Sequence, residues 1–128
     1  MSKHTDWDAL KAAALAVRLR AWAPYSKFKV GAAIAAAGHI FVGCNVENVS
    51  YPVGICAERS AISAMVAAGV TQPDAIVVAA GPLVTPCGMC RQALVEFSPN
   101  LPVLLVSADT AEQQETSLEA LLPGAFQF

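Results

Sequence analysis

The sequence is short of charge. Asp, Glu, Lys and Arg together make up 14% of its 128 residues, and the net charge is −2. It has no run of Lys and Arg, which disfavours nucleic acid as the main partner, because phosphate contacts need clustered cations. It also lacks an apolar segment of the roughly 18 residues that a membrane span requires. The longest apolar stretches, near 30–37 and 75–84, are broken by Gly31, Gly81 and Pro82. The opening "MSKHTDWDAL" has no apolar core of the kind that makes a secretory signal, so a cytoplasmic protein is expected. Internal repeats, low-complexity tracts and linkers are missing too, and the length fits one domain over residues 1–128.

What the chain does have is grease. Apolar residues make up 55% of it and the mean hydropathy is +0.50. That is high for a small soluble monomer, so sister subunits are expected to cover part of the apolar surface.

Periodicity outlines a layered α/β domain. Trp7, Leu10, Ala14, Val17 and Ala21 recur at helical spacing, which predicts a helix from Asp6 to Trp22, capped by Thr5 or Asp6 and ended by Pro24. Residues 28–36 and "HIFVG" read as two strands joined at Gly38, a hairpin. A loop follows, then a helix over 56–68 closed by Gly69. "AIVVAA" and "PVLLVS" are continuous apolar runs, as in strands buried on both faces. Between them a helix runs over 87–97, and "SLEALLP" suggests a short terminal one. The order α-β-β-α-β-α-β-α calls for a mixed sheet with helical crossovers.

Four cysteines, Cys44, Cys56, Cys87 and Cys90, carry the chemistry. A disulfide scaffold does not suit a cytoplasmic chain with this much core material, so metal or redox chemistry is expected. "PCGMC" puts Cys87 and Cys90 at one helix start, and Cys56 begins another. Unpaired N–H groups and the helix dipole favour anions there. Three thiolates call for a zinc ion, with the fourth position left to solvent, the pattern of a catalytic centre. His4 and His39, in the N-terminal segment and the hairpin turn, read as surface residues. Cys44 lacks a nearby Cys or His partner and reads as a small buried hydrophobe, with a fourth ligand as its rival reading. Glu58, two residues beyond Cys56, is either a first-turn helix glutamate or a general acid/base beside the metal. The cysteine pair favours the second. Arg59 is either an exposed helix arginine or a donor to thiolate sulfur.

"APYSKFKVGAAI", "GCNVENVSYPVGICAER", "PCGMCRQALVEF" and "LLPGAF" together resemble the small zinc-dependent cytidine deaminases, across nearly the whole chain. Cys56-Ala57-Glu58 stands where zinc deaminases carry His-x-Glu, and "PCGMC" supplies their Pro-Cys-x-x-Cys. The resemblance implies a three-layer α-β-α sandwich on a mixed five-stranded sheet. It also implies one Zn²⁺ per subunit on Cys56, Cys87 and Cys90, and deamination of cytidine, and of 2′-deoxycytidine, in pyrimidine salvage. Glu58 would be the catalytic proton carrier and Arg59 a support to the thiolates. Phe28 would lie beside the base, Asn45 and Glu47 on the ribose hydroxyls, and the Ala57 N–H and Thr85 carbonyl on the base. Phe126 would reach a neighbouring site in a homotetramer with shared active sites, with Tyr51 near the contacts. Pro52-Val53-Gly54 departs from the Gly-Leu-Thr-like run that family members often carry, which opens substrate scope to modified cytosine nucleosides.

Three other readings compete. A Cys87/Cys90 dithiol redox protein leaves Cys56-Ala57-Glu58 unexplained. A structural zinc module needs Cys44 as fourth ligand. A nucleic-acid editing deaminase needs a basic groove that this acidic chain lacks.

Overall fold

A computed structural model describes residues 4–127. Its elements are α1 (Trp7–Arg18), β1 (Gly31–Ala36), β2 (His39–Cys44), a 3₁₀ turn (Tyr51–Val53), α2 (Ala57–Ala67), β3 (Ala75–Ala80), α3 (Gly88–Val95), β4 (Pro102–Ser107), β5 (Gln113–Ser117) and α4 (Leu118–Leu121). The strands form one mixed sheet in the order β2-β1-β3-β4-β5. Only β3 and β4, joined through α3, run parallel; every other pairing is antiparallel.

The period-two alternation of strands sorts side chains into two cores. Ile34, Ile76, Val78, Val103 and Leu105 face one way, onto Ala61, Ile62 and Met65 of α2, Leu94 and Val95 of α3 and Leu118 of α4. Ala33, Val77, Ala79, Leu104 and Val106 face the other way, onto Leu10 and Ala14 of α1. This is the expected three-layer sandwich: one helix on one face and the helices that bear the cysteines on the other.

Two glycines set how closely the helices approach. A Cβ at Gly43 would lie 2.3 Å from the Ala61 nitrogen and 2.6 Å from the Ala57 carbonyl, so only glycine lets α2 press its backbone onto β2. Gly31 does the same for α1, where a Cβ would meet the Ala14 carbonyl at 2.2 Å. The hairpin turns on Ala37 and Gly38, both with positive φ (52° and 78°), the geometry of a two-residue loop between twisted strands.

Several boundaries differ from expectation. The first helix ends at Arg18 rather than Trp22, because Trp22 pairs elsewhere: its N–H donates to Asn45 O (3.0 Å) and its carbonyl accepts from Glu47 N (2.8 Å). The first strand begins at Gly31, since residues 28–30 are held by a side chain described below. The fifth strand, "QQETS", has no apolar alternation. It is a mostly exposed edge paired with β4, so only the family resemblance anticipated it.

Among the described residues no helix is long and apolar enough to cross a membrane.

Candidate active site

Cys56 is the N-cap of α2 and Cys87 the N-cap of α3, and neither side chain caps its own helix. Each sulfur is therefore free of its helix while the helix N-terminus stabilises negative charge on it. Cys90, one turn into α3, is fully buried. The three Sγ atoms lie within 4.8 Å of one another, with Cys56–Cys87 at 3.9 Å and Cys87–Cys90 at 3.5 Å. Sulfurs on a tetrahedral zinc, each about 2.3 Å from the ion, sit about 3.8 Å apart, so the trio fits a zinc ion. Cys44 lies outside this grouping, as do His4 and His39. Cys44 ends β2, where its carbonyl accepts from Ser60 Oγ (3.1 Å).

The electrostatics fit a cation as well. Arg59 Nη2 approaches Cys56 Sγ at 3.7 Å, and the buried Arg59 Nε has no hydrogen-bond partner among the described residues. Hydrogen bonding with Cys90, then with Arg59 and Cys87, holds the Cys56 thiol down to about 5 against the cost of burial. The Cys90 thiol is pushed up, by hydrogen bonding with Cys56 and then by burial. Thiols this close cannot all ionise without a shared positive partner, so one keeps its proton for another.

Glu58 occupies the first turn of α2 beside them and is only 5% exposed. Burial raises its carboxyl above the ordinary range, and the neighbouring Cys56 thiolate adds to this. A carboxyl raised in this way holds a proton more readily than a solvent-exposed one, which suits a group that must accept and return one.

A cavity of about 740 Å³ opens over this group, and Phe28, Asn45, Glu47, Ala57 and Thr85 all line it, together with Cys56, Cys87 and Glu58. The loop side of the cavity is tied together by hydrogen bonds. Asn45 Oδ1 accepts from Val30 N (2.7 Å) and its Nδ2 donates to Phe28 O (2.8 Å), which holds residues 28–30 in place of a ladder. That leaves one lone pair and one N–H of the amide available. Glu47 Oε1 accepts from the backbone N–H groups of Tyr25 (3.0 Å) and Ser26 (3.2 Å), and Oε2 accepts from Ser26 Oγ. The Ser26 hydroxyl, ahead of the backbone bonds, lowers the Glu47 carboxyl and keeps it charged. Val46 and Ile55 exchange backbone hydrogen bonds of 3.0 Å, tying this wall to the start of α2.

Phe126 lies elsewhere. It is 69% exposed, does not line the cavity, and its carbonyl accepts from Gln92 Nε2 (3.2 Å). Three residues near the cavity escaped the sequence reading. Tyr25 acts through its backbone N–H and Ser26 through its N–H and hydroxyl, all on Glu47, a pairing across about twenty residues that sequence spacing does not display. Arg91 follows the second cysteine of "PCGMC" directly, and that adjacency was the one available signal.

Comparison with known proteins gives the same picture. A family described as the cytidine and deoxycytidylate deaminase zinc-binding region matches residues 5–105. A cytidine deaminase of Sporosarcina psychrophila is 44% identical over 126 residues, spanning 94% of this chain and 91% of that protein. The crystal structure of the cytidine deaminase from Burkholderia pseudomallei superposes with a TM-score of 0.90 at 44% identity, covering 96% of this chain and 100% of the other. That from Mycobacterium tuberculosis gives 0.85 at 35% identity, covering 98% and 100%.

Proposed function

The chain belongs to the cytidine and deoxycytidylate deaminase family of zinc-binding proteins, and we propose that it hydrolyses cytidine and 2′-deoxycytidine to uridine and 2′-deoxyuridine, with release of ammonia. The observation that carries this is the cluster of three cysteine sulfurs within 4.8 Å of one another beside a buried glutamate in the wall of an open cavity of about 740 Å³.

Cys56, Cys87 and Cys90 would hold the zinc ion, which when bound makes a water molecule acidic enough to act as nucleophile near neutral pH. Glu58 is the proton carrier. It accepts the first proton of the attacking water and passes it to N3 as C4 is attacked, then takes the proton of the new C4 hydroxyl and delivers it to the departing amine as the C4–N bond breaks and the C4 carbonyl forms. Burial suits it to that exchange, because its two protonation states lie closer in energy near neutral pH. The Ala57 N–H and the Thr85 carbonyl orient the base, and Phe28 packs beside the ring. The free amide groups of Asn45 and the charged Glu47 take the ribose hydroxyls, a charged acceptor binding a hydroxyl more strongly than a neutral one. Arg59 offsets the excess negative charge of three thiolates.

The test is a panel of cytosine nucleosides incubated with the protein and followed by ultraviolet absorbance, with ammonia assayed in parallel. Cytidine and 2′-deoxycytidine are expected to lose their amines. If neither does while an N4-substituted cytidine does, the substrate assignment moves to modified nucleosides, the scope that Pro52-Val53-Gly54 leaves open. No turnover of any member contradicts the proposal.

The proposal extends to a cytoplasmic homotetramer acting in pyrimidine salvage, with Phe126 completing a neighbouring site. Large apolar side chains at the cavity rim support this: Tyr51 is 83% exposed and Met89 64%, as is Val53 nearby on the 3₁₀ turn. Light scattering at micromolar concentration is expected to give four times the 13.3 kDa chain mass. A monomer at that concentration contradicts the shared site.

A further inference from the structure

We infer that Arg91 is a positioning residue for the zinc-deaminase site, holding Thr85 of the cavity wall through its hydroxyl and the backbone that delivers Cys87 through the Pro86 carbonyl. The inference rests on the deaminase reading.

The half-buried Arg91 guanidinium uses three nitrogens on three acceptors from two separate parts of the chain. Nε donates to Pro86 O (2.7 Å), Nη2 to Thr85 Oγ1 (2.9 Å) and Nη1 to Leu121 O (2.6 Å) at the end of α4. None of these acceptors is a carboxylate, so the arrangement is a geometric clamp rather than an ion pair. A planar five-donor fork can span three such points at once, whereas an ammonium is a single point charge.

The clamp supplies hydrogen bonds to a segment that has few others, its Leu83 and Val84 resting on the α2-side core. The segment between Gly81 and Cys87 is neither helix nor strand. Its near end is tied where Ser107 Oγ donates to Gly81 O (2.6 Å). Among the described residues, the hydrogen bonds to Thr85 and Pro86 all come from the Arg91 side chain. Those two residues immediately precede Cys87, whose sulfur has no capping bond of its own. Arg91 also sits one residue beyond Cys90, so the helix turn that carries two thiolates reaches back and sets the path of the backbone entering it. The far anchor, Leu121, makes α4 the fixed reference for that path.

Loss of the clamp should therefore loosen metal and substrate together. In the zinc-loaded enzyme, Arg91→Ala is expected to release zinc to a chromogenic chelator about 10- to 100-fold faster, the range typical of groups that orient metal ligands. KM for cytidine should rise about tenfold or more, and Arg91→Lys should fall between variant and parent on both measures. A purely structural arginine would lower the melting temperature and leave the zinc-release rate and KM of the folded fraction at parental values, and that result overturns the inference. Should Arg91→Ala fail to fold, Thr85→Val removes one of the three bonds with little change in shape. A raised KM in that variant supports the clamp, and a parental KM with parental zinc release refutes it. The two layers separate in the parent protein. If the parent binds no zinc and turns over no cytidine, the deaminase reading falls and this inference with it. If the parent is active and the variants match it, this inference alone falls.

Discussion

Glu58→Gln keeps its zinc and deaminates cytidine about 10²- to 10⁴-fold more slowly than the parent chain, the range for removal of a positioned general acid/base. Glutamine fills nearly the same volume and keeps a carbonyl oxygen, so α2 and Cys56 at its head are undisturbed. What it lacks is the ability to take a proton. The parent carboxyl is buried and raised, so its ionised form is carried at a cost in the folded chain. The variant lacks that cost and is expected to melt no lower than the parent. The combination is diagnostic: unchanged metal content, unchanged or higher melting temperature, collapsed turnover. Metal analysis, thermal denaturation and an absorbance assay on one preparation read all three. Parental turnover in the glutamine variant would remove Glu58 from the chemistry.

Cys87→Ala is expected to lose zinc and to lose activity by more than the roughly 100-fold that removing an outer partner of a metal ligand costs. Cys87 is one corner of the sulfur triangle, 3.9 Å from Cys56 and 3.5 Å from Cys90, so its loss leaves two thiols that cannot enclose an ion. Cys44→Ala is the matched control: its sulfur lies outside the trio, and its backbone carbonyl contact with Ser60 survives the change. Zinc lost in both variants would make Cys44 a fourth ligand and favour a structural zinc module, and zinc retained in the first would remove Cys87 from the metal site.

The parts of this fold and site that could be read along the chain are those fixed by neighbours in sequence. The Cys-x-x-Cys spacing places two sulfurs on one helix turn whatever surrounds them. Glu58 follows Cys56 closely enough to share its helix start. The apolar runs of β3 and β4 announce strands buried on both faces. What could not be read depends on distant partners. Helix α1 stops at Arg18 because Trp22 pairs with residues 45 and 47, a contact across more than twenty positions. Residues 28–30 stay out of the sheet because Asn45, seen in sequence only as a loop amide, holds their backbone. The polar strand β5 exists because β4 offers it an edge. Arg91 looks like any helix arginine until the chain brings Leu121 and Thr85 around it.

X-ray absorption at the zinc edge of protein purified without chelator tests the account most directly. Three sulfur neighbours at about 2.3 Å and one lighter donor supplied by solvent are the expected result. A shell of four sulfurs, or no zinc bound to the natively purified chain, would contradict an open catalytic centre beside Glu58.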